Sequence, residues 1–169
     1  IGAEVFFLGD KGCGKTTLLN ILAGKLRPTE GSFYLGAHVE PAYYEQTMTS
    51  LKAENTVLEE VWDRYYTTIP RKDMCNALAA FLFRGDDIDK PISMLSGGEL
   101  ARVQLLKLML TGSNLLLMDE PFGALDAVTR TRLQDMVLSL WKKDETSRKT
   151  ILFVTHDVDE ALFLAGVHP

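Results

Sequence analysis

An α/β fold with a mainly parallel sheet and an inserted helical segment is what this sequence predicts, and three observations predict it. The chain opens with the apolar run "AEVFFLG", which ends in glycine and is followed at once by "KTTLLNILAG", where Leu18, Leu19, Leu22 and Ala23 recur at helical spacing. Two later runs, "NLLLMDE" and "ILFVT", have the continuous hydrophobicity of buried strands, with helical periodicity between them. In the middle, Val57, Leu58, Val61, Trp62 and Tyr65 share one helical face, and Met74, Ala77, Leu78, Phe81 and Leu82 repeat the arrangement. Strands alternating with helices form parallel sheets, because each return crossing needs a helix.

Taken in order, a strand over Ala3 to Gly9 leads through a tight loop into a helix. "LRPTEG" holds the Pro and Gly of a turn, and "AYYEQ" (Ala42 to Gln46) closes a second short strand-like segment. The two amphipathic helices follow. "LSGGEL" opens a third helix that runs to about Leu110, before the buried strand "NLLLMDE". A fourth helix carries Leu133, Met136, Val137, Leu140 and Trp141 on one side, and Ile151 to Thr155 form the last strand. The polar run "KKDETSRK" reads as a solvated loop, and neither internal repeats nor low-complexity tracts occur.

With 169 residues and 46% hydrophobic content, the chain suits one well-buried domain. Its net charge of −5 and pI of about 5.2 argue against a partner gripped by phosphate neutralisation, so no direct sequence-specific nucleic-acid binding is expected. Two cysteines, Cys13 and Cys75, form no metal set and suit a reducing compartment. Without a leader or an apolar run of about 18 residues, the cytoplasm is the expected location, with any membrane link made through a partner.

The strongest motif is "GDKGCGKT", Gly9 to Thr16, which fits G-x-x-x-x-G-K-[ST] between a strand and a helix. Gly9, Gly12 and Gly14 let the backbone wrap so that N–H groups point at phosphate oxygens, and the following helix adds its positive end. Lys15 is expected to reach the β- and γ-phosphates of a nucleotide and the Thr16 hydroxyl to ligate Mg²⁺. Cys13 fills the loop, and Thr17 completes a nucleotide-binding set of Gly9, Gly12, Cys13, Gly14, Lys15, Thr16 and Thr17.

Asp119 and Glu120 end a buried strand, where adjacent carboxylates are costly unless a cation or donors meet them. A Mg²⁺ shared with Thr16 supplies that reason, leaving Glu120 to polarise an attacking water. In "LSGGE", Ser96, Gly97, Gly98 and Glu99 bring a second anion-binding surface to a helix start. The same spacing, S-x-x-E, also makes a capping box, and the two readings are compatible. His156, just past the last strand, is placed to contact a γ-phosphate or to be structural.

In this order, these pieces resemble an ABC-type ATPase. The phosphate loop is followed by Gln46 as the Q-loop glutamine, "LSGGE" as the signature, "LLLMDE" as Walker B, "GALD" with Asp126 as the D-loop, and His156 as the switch histidine. The resemblance implies a P-loop NTPase fold: a RecA-like core at 1–46 and 100–169 with a helical and signature subdomain at 47–99. It implies ATP and Mg²⁺ as ligands, Glu120, His156 and Gln46 as catalytic residues, and Thr16, Gln46 and Asp119 at the metal. It also implies a homodimer, or pairing with a second nucleotide domain, arranged head to tail. Each ATP would then lie between one phosphate loop and the partner's signature, with Asp126 near the nucleotide.

Residues 1–118 resemble the ABC-F group, soluble proteins of which many act on ribosomes. In contrast, "PFGALDAVTRTRLQDMVLSLW" and "KTILFVTHDVDEALFLA", within 121–166, resemble ATPase subunits of nitrate, sulfonate and taurine importers. The implied partners are accordingly a ribosome or a membrane permease. A chimera joined near "LLLMDEP" is the expectation, with a single divergent lineage as its alternative. The adenine-stacking aromatic usual upstream of the loop is not within the eight residues before Gly9, so a domain shortened at both ends is expected. By analogy with base stacking worth ~1–3 kcal/mol, ATP would bind roughly five- to 150-fold more weakly.

Overall fold

The computed structural model describes residues 4–44, 50–143 and 149–166. Four strands, β1 (Glu4–Leu8), β2 (Pro41–Tyr44), β3 (Leu115–Asp119) and β4 (Thr150–Thr155), form a wholly parallel sheet in the order β1-β4-β3-β2. The helices are α1 (Lys15–Leu22), α2 (Val57–Trp62), α3 (Arg71–Ala80), α4 (Gly97–Leu110), α5 (Ala127–Lys143) and α6 (Val158–Leu164). None of them is long and apolar enough to cross a membrane.

Packing divides the described chain into two compact units. The sheet unit draws on 1–45, 111–121 and 137–169, and the helical unit on 46–110 and 122–136. The resemblance implies a helical and signature subdomain at 47–99. α4 starts inside the signature and runs unbroken to Leu110, burying Ala101, Val103, Leu105 and Leu106 and packing on α2.

In the sheet unit, β3 lies between two neighbours, and Leu116, Leu117 and Met118 are wholly buried, as its unbroken apolar run requires. Leu19 of α1, Leu117 and Val154 form a core against which Phe7, Leu22 and Tyr43 pack. Phe6 stacks on Phe153 with centroids 5.4 Å apart, so both phenylalanines before the loop are engaged in packing. The register sets Leu8 opposite Thr155 and Asp119 opposite Val154, which brings the carboxyl ends of β1, β3 and β4 level along one edge. At the opposite edge Asn114 fastens the chain before β2: its Nδ2 donates to the His38 carbonyl (2.7 Å) and its Oδ1 accepts from the Glu40 N–H (2.9 Å).

In the helical unit, α2 begins with a capping box in which the Thr56 side chain and Glu59 bond each other's backbone N–H. Its helix ends at Trp62, so Tyr65, expected on the same face, lies in the turn beyond, where its N–H reaches the Trp62 carbonyl. α3 stops at Ala80 because Leu82 adopts a left-handed φ of 66°, a conformation that cannot continue a helix. The carbonyls of Phe81 and Leu82 are taken up by Arg102 of α4, at 3.2 and 3.0 Å.

Candidate nucleotide site

The phosphate loop owes its shape to Gly12 and Gly14, whose φ values of 90° and 98° lie in the left-handed region that suits glycine. Gly14 caps α1, and the Leu18 N–H already bonds the Gly14 carbonyl. The Lys15 ammonium folds over the loop and donates to the carbonyls of Gly9 (2.5 Å) and Asp10 (2.9 Å), with Cys13 Sγ 3.7 Å away. It is thus held at the mouth of the loop, while Thr16 and Thr17 remain exposed on the first turn of α1.

Asp119 ends β3 and is only 2% exposed, whereas the next residue turns outward. The turn is made by Glu120 itself, at a φ of 46°, with its N–H anchored to the Val154 carbonyl at 2.9 Å. A left-handed glutamate is uncommon, and its cost of order 1 kcal/mol is spent on aiming a carboxylate out of the sheet edge. Glu120 Oε1 meets His156 Nδ1 at 3.0 Å, with the histidine two-thirds exposed. Leu8, Gly9, Asp10, Lys11, Glu120, His156 and Val158 line an open cleft of about 510 Å³. Four of these were not singled out from the sequence: Asp10 and Lys11 fill unspecified positions of the phosphate-loop motif, and Leu8 and Val158 lie within two residues of motif residues.

A magnesium ion fits these donors. Asp119 supplies a carboxylate whose Oδ2 is shielded from solvent, and Thr16 supplies a hydroxyl. Hard oxygen donors and few protein ligands are the Mg²⁺ pattern, because the ion keeps waters and shares substrate phosphates. Among the described residues no cluster of three or more His, Cys, Asp or Glu could hold a metal ion. Gln46 lies outside the described residues.

The signature belongs to the helical unit. Ser96 and Glu99 form the capping box: Glu99 Oε2 accepts from the Ser96 N–H and hydroxyl, both at 2.8 Å, and Ser96 Oγ accepts from the Glu99 N–H at 3.3 Å. A side chain at Gly98 would place its Cβ 3.4 Å from the Ala124 carbonyl, so the segment before Asp126 runs close beneath the signature helix. Asp126 caps α5 by accepting from the Thr129 N–H at 3.0 Å. Backbone hydrogen bonds from Thr56, Ser96 and Thr129 hold Glu59, Glu99 and Asp126 below their ordinary carboxyl range, and Lys90 does so for Asp87. Each binds its proton more weakly folded than unfolded, so the stability it lends is complete above the ordinary values of 4.5 (Glu) and 3.8 (Asp) and is lost as pH falls through the folded values. All four carboxyls belong to the helical unit. Acid titration followed by Trp62 fluorescence, in a Trp141→Phe background, should show that unit loosening below about pH 4.5.

A glycine loop, a buried aspartate and an outward glutamate–histidine pair, at the carboxyl ends of neighbouring parallel strands, define a P-loop nucleotide-binding domain. The chain belongs to the ABC transporter family, whose model matches residues 2–123. It is 39% identical over 156 residues to the putative ATP-binding protein YdiF of Bacillus subtilis, covering 92% of this chain and 23% of that protein. It is 41% identical over 173 residues to the taurine import ATP-binding protein TauB of Ruegeria pomeroyi, covering 96% and 63%. Among solved structures it resembles the ATP-binding cassette MJ0796, in a dimeric post-hydrolysis state bound to ADP and Pi, with a TM-score of 0.73 and 25% identity over 96% of this chain and 77% of that one. The chain thus spans about a quarter to under two thirds of these two curated relatives. Both of their alignments run through Pro121, so they do not require a junction there.

Proposed function

We propose that the chain binds Mg-ATP and hydrolyses it within a head-to-tail dimer. The observation that carries this reading is the Glu120–His156 pair, which lines one cleft together with Gly9, Asp10 and Lys11 of the phosphate loop at the carboxyl ends of β1, β3 and β4. Lys15, now bonded to loop carbonyls, exchanges those acceptors for β- and γ-phosphate oxygens. Thr16 and Asp119 would hold the metal, with Gln46 as the remaining expected ligand, and Mg²⁺ bound there would neutralise charge on the phosphates. Glu120 takes the proton of the attacking water, and His156 fixes the carboxylate's orientation through the 3.0 Å contact. Ser96, Gly97, Gly98 and Asp126 of one copy face the nucleotide of the other. The likeness to a dimeric cassette with ADP and Pi supports that arrangement.

Because each site takes residues from two copies, phosphate release per molecule should rise with protein concentration until dimerisation saturates. Activity independent of concentration would exclude the shared site. A second reading is nucleotide capture with negligible turnover, because a domain shortened as the sequence suggests would not close the dimer correctly. Binding without phosphate release would select it. For the partner, likeness to a taurine importer subunit favours a permease and the ABC-F-like blocks favour a ribosome; co-purification against co-sedimentation separates them.

A further inference from the structure

We propose that Glu99 is a positioning residue that controls when the Ser96 hydroxyl is released to a nucleotide phosphate. The inference rests on the dimer reading, in which the signature meets the partner's nucleotide. A serine hydroxyl has one proton to give, and here it is given to Glu99 Oε2 at 2.8 Å, the same oxygen that accepts the Ser96 backbone N–H. While that bond stands, Ser96 offers a phosphate no donor from its side chain. The carboxylate also lies on the order of 5 Å from any anion that Ser96 Oγ would touch, and opposes it at the helix end that should attract it.

Two cations moderate this opposition. Lys90 Nζ and Arg102 Nη2 each stand 3.9 Å from Glu99 Oε1, the oxygen not used in the capping box. Neither is free to swing toward a ligand. Lys90 is paired with Asp87 at 2.6 Å. Arg102 is held by the Phe81 and Leu82 carbonyls and lies 4.7 Å above the Phe83 ring. The charge balance of the signature is therefore set by the framework of the helical unit itself.

Replacing Glu99 by Gln separates charge from geometry, since an amide oxygen accepts the same capping bonds. In the full chain, Glu99→Gln should lower the ATP concentration for half-maximal phosphate release roughly three- to tenfold at low salt, by removing an opposing charge. The advantage should shrink as salt rises, and ATP-driven dimerisation should shift in parallel. Glu99→Gln with unchanged or weaker ATP dependence at low salt overturns the proposal. Ser96→Ala keeps the two levels apart: if it leaves turnover intact, the dimer reading and this proposal both fail. If it impairs turnover while Glu99→Gln changes nothing, only the role given to Glu99 fails.

Discussion

Glu120→Gln should reduce phosphate release about 10²- to 10⁴-fold while leaving nucleotide binding near the parent level. The substitution keeps size, the left-handed backbone at φ 46° and a hydrogen-bonding partner for His156. It removes only the capacity to take a proton from water. Lys15 and the loop glycines are untouched, so binding persists and the ATP-bound state accumulates. Two assays read this: phosphate release, and equilibrium binding of a fluorescent ATP analogue. Retention of more than a tenth of the activity would move the role of base away from Glu120. Parallel loss of binding would mean that the carboxylate serves the pocket's shape.

Replacing Lys107 by Met should destabilise the helical unit by about 2–4 kcal/mol, the range for breaking a largely buried pair whose cation retains some exposure. Glu60 of α2 is 8% exposed, and its carboxylate is shared among the Lys107 ammonium, Asn55 Nδ2 at 2.9 Å and the Lys52 N–H at 3.2 Å. Removing the lysine leaves an ionised group buried with two neutral donors. Adding Glu60→Gln should then restore most of the loss, because an amide oxygen can accept from Asn55 and Lys52 without carrying charge. For a chain of this size the single change corresponds to a fall in Tm of roughly 5–15 °C, and the double change to much less. Urea denaturation followed by Trp62 fluorescence measures both. No rescue in the double variant would mean that Lys107 acts through packing of its aliphatic stem instead.

The sheet was readable because its signals are local. An unbroken apolar run such as "LLLMD" must be buried on both faces, and a glycine loop between strand and helix leaves few alternatives. Asp119 and Glu120 could be placed at a strand end for the same reason, and the Ser96–Glu99 capping box follows from spacing alone. What could not be read depends on tertiary contact. The stop of α3 rests on a left-handed Leu82 whose neighbouring carbonyls bond Arg102, twenty residues away. The reach of the helical unit depends on α4 packing against α2, and the outward turn at Glu120 on a bond to Val154. Asp10 and Lys11 occupy unspecified positions of a motif, where sequence pattern carries no preference.

The level carboxyl ends of β1, β3 and β4 divide the sheet into a chemical margin and a structural one. Asp119, Glu120 and His156 lie at, or one residue after, the last paired residue of their strands, and the phosphate loop begins directly after β1, while Asn114 and its clamp on His38 and Glu40 lie at the other end. Changes in length therefore have unequal consequences. A residue added to a connection that enters a strand from the Asn114 side leaves the reactive groups where they are. A residue deleted inside β4 would draw His156 back from Glu120 and invert every side chain beyond the cut. Changes of length are thus least disruptive in the loops of one margin, and the spacing along the other is fixed by the pairing of the strands themselves.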